Sequence, residues 1–323
     1  MKDVELSLAM DVNPRTAALI AGEVRAEGID LHCSTALRGP KLFQHQLKTR
    51  EFDASDMSLT TVFMMIDRGD TSFVPIPVFT MRHFFHTTTL IRAGASIGRP
   101  EDLNGKRIGI PGYQSAASLW CRGALEHEFG VSPMDVEWFT QRVADSTAGE
   151  VAFAPPDGLR LNEIAPNDSI DQMLLDGRLD AYVNVMRPSP ELLAEGSGVR
   201  RLFADPRAEG IRYLRQTGLY PTNHCVVIKR EVVDRHPWVP LSLFNAFKQS
   251  SVRAMIPAKA LDPYIETGYL EPEMRDVFSK DLFGYGIDSE ELVLKTFGEY
   301  CNQQGYTGRA LLPREVYSHA AWT

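Results

Sequence analysis

Three histidines, several arginines and a group of hydroxyl and amide side chains give this sequence its chemical character. His83 and His86 belong to the run Arg82-His83-Phe84-Phe85-His86, and His224 follows Tyr220-Pro221-Thr222-Asn223. Imidazole exchanges a proton near neutral pH, so His86 and His224 are the first candidates for an acid and a base, with His83 third. Arg82 and Arg122, with Arg187 behind them, are candidates for bidentate carboxylate binding. In Arg107-Ile108-Gly109-Ile110-Pro111-Gly112-Tyr113-Gln114-Ser115 an apolar strand meets a Pro-Gly turn and then a helix pattern. A helix that starts after such a turn points unbonded N–H groups outward and favours an anion. Tyr113, Gln114 and Ser115 would add hydrogen bonds there. Asp56 and Ser58 would line a facing wall, and Trp120, Phe84 and Tyr220 offer ring faces. Together these residue types describe a site for a small aromatic carboxylate.

Each of these residues also has a plainer reading. Ser115 is well suited to cap the helix that follows it, and Asp56 and Ser58 to cap theirs. Arg122 lies about 12 Å along its helix, where it would instead pair with Glu126 at i+4. Trp120 has the size and spacing of a core residue, and an interior histidine is ordinarily satisfied by a neighbour. His83 and His86 project together only if their segment is helical, because an extended chain puts i and i+3 on opposite faces. Their HxxH spacing would admit a divalent metal, but no carboxylate stands at ligand spacing within the motif.

The elements that must position these groups alternate between strand and helix. Strand patterns cover Val4 to Met10, Asp30 to Thr35, Ala54 to Leu59, Arg107 to Ile110, Val136 to Phe139, Ala181 to Val185 and Cys225 to Lys229. Val74 to Phe79 is apolar, and Thr87 to Arg92 reads as extended. Helix patterns cover Pro14 to Ala26, Leu42 to Lys48, Thr60 to Arg68, Ala116 to Phe129 and Ser169 to Asp176, and the chain from Pro237 onward is mostly helical. This alternation predicts an α/β fold with mainly parallel sheets. The segment from Asp145 to Pro166 lacks periodicity and reads as a loop over a cleft or a connecting hairpin.

Composition bounds the function. The 323 residues are 44% hydrophobic and 24% charged, an ordinary globular balance with enough apolar residues for two lobes. Lysine plus arginine total 34 against 42 acidic residues, a net charge of −8 with no basic run, which speaks against nucleic acid. No stretch is long enough to cross a membrane. The N-terminus reads as a first strand rather than an export signal, so the expected compartment is the cytoplasm, or the periplasm if a leader has been removed. Cys33, Cys121, Cys225 and Cys301 are widely spaced, which disfavours zinc, a disulfide framework or a catalytic thiol.

Longer phrases carry a resemblance. Asp102-Leu103-Asn104-Gly105-Lys106-Arg107 and Asp176-Gly177-Arg178-Leu179-Asp180-Ala181 resemble the second lobe of type II periplasmic binding proteins. That resemblance implies two lobes, residues 1–87 with 225–323 forming one and 88–224 the other, around a ligand cleft. Within that fold class the chain resembles the 4,5-dihydroxyphthalate decarboxylase family. The matching phrases are Arg50 to Leu59, Pro77 to His86, Gly109 to Gln114, Trp120 to Gly123, Tyr213 to His224 and His236-Pro237-Trp238. The run Phe139-Thr140-Gln141-Arg142-Val143-Ala144-Asp145 departs from the family pattern. The resemblance implies a decarboxylase of a hydroxylated aromatic, phthalate-like acid, a carboxy-lyase of aromatic catabolism. A ring hydroxyl lets such an acid accept a proton at the carboxylate-bearing carbon and then lose CO2, so no cofactor is required. The competing reading is a solute-binding protein for a small aromatic carboxylate. Lobe closure around the ligand is expected in either case, and a homo-oligomer is compatible with both.

Overall fold

A computed structural model describes residues 3–141, 151, 153–183, 188–254, 262–272 and 283–322. Its strands are β1 (Val4–Ala9), β2 (Ile29–Ser34), β3 (Ala54–Ser58), β4 (Phe73–Ile76), β5 (Leu90–Arg92), β6 (Arg107–Ile110), β7 (Glu137–Thr140), β8 (Arg160–Glu163), β9 (Ala181–Tyr182), β10 (Val199–Arg201) and β11 (His224–Lys229). The helices used below are α1 (Gly39–Thr49), α2 (Leu59–Asp67), α3 (Ala116–Phe129), α4 (Pro206–Thr217), α5 (Val239–Ala254) and α6 (Glu291–Gln303).

The strands form two sheets, in the orders β2-β1-β3-β11-β4 and β10-β5-β9-β6-β7-β8. The fold is therefore α/β with two sheets; the second is mainly parallel, through β9-β6-β7-β8, and the first is divided between parallel and antiparallel pairs. β1 runs parallel to β2 and β3, and β6 parallel to β7 and β9, whereas β11 is antiparallel to β3 and β4, and β5 to β9 and β10. The antiparallel pairs lie where the chain passes from one sheet to the other, between β4 and β5 and between β10 and β11. The two passages meet at an isolated bridge between Arg82 and Thr222.

Local sequence explains the elements around this junction. In α3, Ser115 accepts the Ser118 N–H at 3.2 Å, and Gly130, in the left-handed conformation at φ 65°, ends the helix. These are the expected start and stop signals. β6 packs so closely on its neighbours that a Cβ at Gly109 would lie 2.5 Å from Ile170. The β3 sequence Ala-Ser-Asp-Met-Ser is buried at every position, between β1 and β11. A central strand with three buried polar side chains must supply them with partners or leave them for a ligand.

The C-terminal region does not belong to one sheet alone. On α6, Phe297 meets Phe63 of α2 at 5.0 Å between ring centroids and Trp120 of α3 at 5.6 Å. Gly123 of α3 leaves room for the Tyr300 ring, which a side chain there would overlap. This helix thus packs against both α2 and α3. Three further readings differ from the structure. Residues 14–26 hold only a four-residue helix, Ala17–Ile20, after which Gly22 turns at φ 74°. Thr87 and Thr88, the first residues of the segment read as extended, belong to the 3-10 turn Phe85–Thr88. Within Asp145 to Pro166, residues 145–150 and 152 lie outside the described residues, and Arg160–Glu163 forms the strand β8.

Candidate active site

β3 and β11 place an acid and a histidine side by side. His224 opens β11 opposite Ser58, and its Nδ1 lies 3.0 Å from Oδ2 of Asp56. Asp56 is buried, and its other oxygen, Oδ1, accepts the Thr80 hydroxyl at 2.6 Å. Nδ1 of the imidazole therefore lies against the acid, and Nε2, across the ring, faces away from it. Nε2 has no hydrogen-bond partner among the described residues. Phe43 of α1 supports the ring edge-on at 4.9 Å. This pair sits at the C-terminal ends of the parallel strands β1 and β3, the end at which open α/β sheets place their ligands.

Charged groups surround the pair. Asp11, just past β1, has its carboxyl pushed above the usual range by burial and by Asp56, against the pull of Arg38 and His224. Arg38 lies 3.4 Å from Asp11 with its side chain exposed. Arg15 donates to the Thr80 carbonyl at 2.8 Å, and its guanidinium lies over the Phe283 ring. Beside His224, the buried Asn223 has an Oδ1 with no donor.

The start of α3 closes the facing wall. A polar thread connects it to β3: Ser58 Oγ lies 3.0 Å from Thr60 Oγ1, which donates to the Gln114 carbonyl at 2.9 Å. The Gln114 amide donates to the Val151 carbonyl at 2.7 Å, while its buried Oε1 has no donor. The N–H groups of Ala116 and Ala117, in the first turn of α3, have no acceptor among the described residues. A histidine nitrogen beside Asp56 and a helix start are thus joined by this polar thread, with the unpaired oxygens of Asn223 and Gln114 buried behind them. Among the described residues, no group of three or more His, Cys, Asp or Glu side chains is placed to hold a metal ion.

Several expected site residues are committed elsewhere. His86 is 1% exposed, with Nε2 2.9 Å from Glu209 and its ring against Tyr213 and Phe203, so it is a satisfied interior histidine. His83 is half-buried, edge-on to Phe85, and its pKa is pushed down by burial and by His86. Arg82 pairs with the buried Glu290 at 2.7 Å and donates to the carbonyls of Tyr220 and Gly284, which ties the segment after residue 283 to the crossing. It is an anchor, not a free carboxylate clamp. Trp120 is a core residue whose Nε1 donates to the Thr222 carbonyl at 2.7 Å. Tyr220 packs on Phe84 and Phe283. Arg122 is buried and makes no ion pair with Glu126. Tyr113 lies between Arg122, Trp138 and Phe153. Ser115 is the helix cap and also donates to Ser118 Oγ. Arg187 lies outside the described residues.

Sequence reasoning missed Asp11, Thr80, Arg38 and Asn223, and it gave Asp56 a substrate-binding role rather than that of a partner to His224. One signal was present: Asp11-Val12-Asn13-Pro14 and Thr80 each follow an apolar strand pattern, at the end where ligands gather.

Comparison with known proteins bears on this arrangement. No family model matches the chain. A 4,5-dihydroxyphthalate decarboxylase of Comamonas testosteroni is 29% identical over 330 residues, covering 99% of this chain and 98% of the relative. A protein of the same name from Pseudomonas putida is 29% identical over 218 residues, covering 67% of this chain and 83% of its own. Among solved structures, the alkanesulfonate-binding protein SsuA of Xanthomonas axonopodis pv. citri, bound to MOPS, matches with a TM-score of 0.52 at 12% identity, covering 98% of both chains. The periplasmic aliphatic sulphonate binding protein SsuA of Escherichia coli matches at 0.53 and 13%, covering 96% of this chain and 91% of its own. The desulfurization enzyme DSZB matches at 0.53 and 15%, covering 98% and 97%. The scaffold is thus that of the periplasmic binding proteins, and the sequence resembles the Comamonas testosteroni decarboxylase along nearly its whole length.

Proposed function

We propose that this chain is a decarboxylase of a hydroxylated, phthalate-like aromatic acid, and that His224 donates the proton that replaces the departing carboxylate. The observation that supports this most directly is the Thr80–Asp56–His224 relay at the cleft end of β3 and β11. Full-length similarity to proteins named for that reaction supports the substrate class.

The chemistry follows from the groups present. A ring hydroxyl donates electron density toward the carboxylate-bearing carbon. His224, as imidazolium, gives its Nε2 proton to that carbon while the hydroxyl proton passes to a base. Asp11, with its raised pKa, suits that role. The product of this step is a dienone that still carries the carboxylate. The bond to the carboxylate then breaks, CO2 leaves, and the electron pair returns to the ring as a phenolate, which recovers its proton from the base. The net change is one proton taken up and one CO2 released. Asp56 stabilises the imidazolium before transfer and keeps Nε2 aimed at the ring. The first turn of α3 and Arg38 receive the carboxylates. Val12 and Met81, both exposed and adjoining Asp11 and Thr80, give the ring an apolar face.

The test is to incubate purified protein with 4,5-dihydroxyphthalate and a panel of hydroxylated benzoates, with and without chelator, and to follow CO2. Release that survives chelation supports the mechanism in which the residues act alone. Release abolished by chelation would require a metal. Tight binding of a panel member with no release would make the protein a solute-binding protein instead.

A further inference from the structure

Beside the start of α3 lies a buried charge with no ion-pair partner among the described residues; Glu126, one turn on, acts on it without such a pair. Arg122 is 1% exposed, yet no carboxylate among the described residues pairs with it. Its Nε donates to Gln304 at 2.9 Å and its Nη2 to the Tyr306 hydroxyl at 2.7 Å, while Nη1 is buried with no acceptor. Taking a guanidinium out of water is costly unless something negative or strongly polar replaces the solvent, and neutral partners replace it only in part.

The guanidinium reaches back along α3 to the start of the helix, the direction in which long helical side chains lean. Its central carbon lies 3.7 Å from the centroid of the Tyr113 ring. The Tyr306 hydroxyl that accepts from Arg122 donates in turn to the Tyr113 carbonyl at 2.7 Å. Gln304 also donates, through Nε2, to the Leu119 carbonyl at 3.2 Å. One buried cation thus grips the turn that leads into α3 and its first helical residues. Those residues carry the unpaired N–H groups of Ala116 and Ala117, where the helix dipole already favours negative charge.

We propose that Arg122 is a positioning residue for an anionic ligand: it fixes the first turn of α3 and supplies the positive charge which that turn presents to a carboxylate. The ligand's charge then supplies the close countercharge that Arg122 lacks among the described residues. Arg122 touches neither the ligand nor the reacting carbon; it acts through Tyr113 and the helix start. The inference rests on reading the cleft as a site for an aromatic carboxylate.

Calorimetric binding of three probes of one shape tests it: phthalate, benzoate and the neutral benzamide, with wild-type protein and Arg122→Met. Loss of the charge is expected to weaken phthalate about tenfold or more, benzoate less, and benzamide hardly at all. If Arg122→Met does not fold, Arg122→Gln, which leaves Gln304 and Tyr306 a polar neighbour, takes its place. An equal loss for all three probes would assign Arg122 a purely structural role and overturn the proposal, as would unchanged phthalate affinity in a folded variant. Wild-type protein that binds neither anion would overturn the underlying reading of the cleft as well.

Discussion

Replacing Asp56 by Asn tests the relay while leaving the shape of the site almost unchanged. The carboxylate lies 3.0 Å from His224 Nδ1 and is buried, close enough to act directly on a positive charge that forms on that ring. Two unit charges at about 4 Å with an effective dielectric near 20 interact by about 4 kcal/mol. An amide keeps part of this through its dipole, so a loss of roughly 3 kcal/mol is expected, about two decades in rate. The amide can also turn its NH2 toward Nδ1, which would move the imidazole proton to Nε2 and spoil the relay's direction. The assay is CO2 release under saturating substrate, with KM determined in parallel and folding checked by thermal denaturation. The expected result is a drop of about a hundredfold or more in kcat with KM within a few-fold, because Asp56 touches His224 and not the ligand. Thr80→Val should follow in the same direction with a loss nearer tenfold, since it removes one hydrogen bond to the carboxylate. Turnover within about threefold of wild type in a folded Asp56→Asn protein would refute the reasoning, since a factor that small is well under 1 kcal/mol.

Three other outcomes follow from the same structure. His86→Ala should lower the denaturation midpoint by emptying a buried, paired position, while the folded protein keeps most of its turnover; loss of turnover without loss of stability would return His86 to the chemistry. Glu209 is the group that pairs with it. Burial raises the Glu209 pKa, but hydrogen bonds from Arg212 and His86 outweigh burial and hold it below the ordinary value of 4.5. Its folded pKa is depressed, so its stabilisation is present above the unfolded pKa and is lost as pH falls through the folded one. Glu209→Gln should therefore be less stable than wild type at pH 7, with the difference shrinking below 4.5 in acid denaturation curves, and a difference that persists in acid would contradict this. Gly123→Ala should cost about 1–3 kcal/mol by forcing α3 away from Tyr300, and adding Tyr300→Leu should recover part of the lost midpoint; an unchanged midpoint in Gly123→Ala would show that the interface yields freely.

The strand at Arg107–Ile110 and the helix at Ala116–Phe129 are legible because a Pro-Gly turn, the Ser115 cap and Gly130 mark their ends. β8 escapes notice because Arg-Leu-Asn-Glu, on the edge of its sheet and largely exposed, has no apolar alternation to reveal it. The site is harder to read than the fold. Nothing in the sequence distinguishes a histidine that meets Asp56 from 168 positions away from one that meets Glu209 at 123 positions. Both histidines lie near a crossing between lobes, and only tertiary pairing separates them. Arg82 and Arg122 mislead for the same reason, because a buried arginine bound to Glu290 or stacked on Tyr113 has the same local sequence context as a ligand clamp. The Ser55-to-Ser58 run is the exception: three buried polar side chains in a five-residue central strand mark the site once burial is known.

The most direct test of the account compares CO2 release from 4,5-dihydroxyphthalate by wild-type, His224→Ala and His86→Ala proteins, each corrected for its folded fraction. The account predicts turnover by wild type and by the folded His86→Ala protein, and at least a hundredfold loss in His224→Ala with the ligand still bound, in line with the contribution of about 10² to 10⁴ typical of a general acid. Undiminished release by His224→Ala would contradict it.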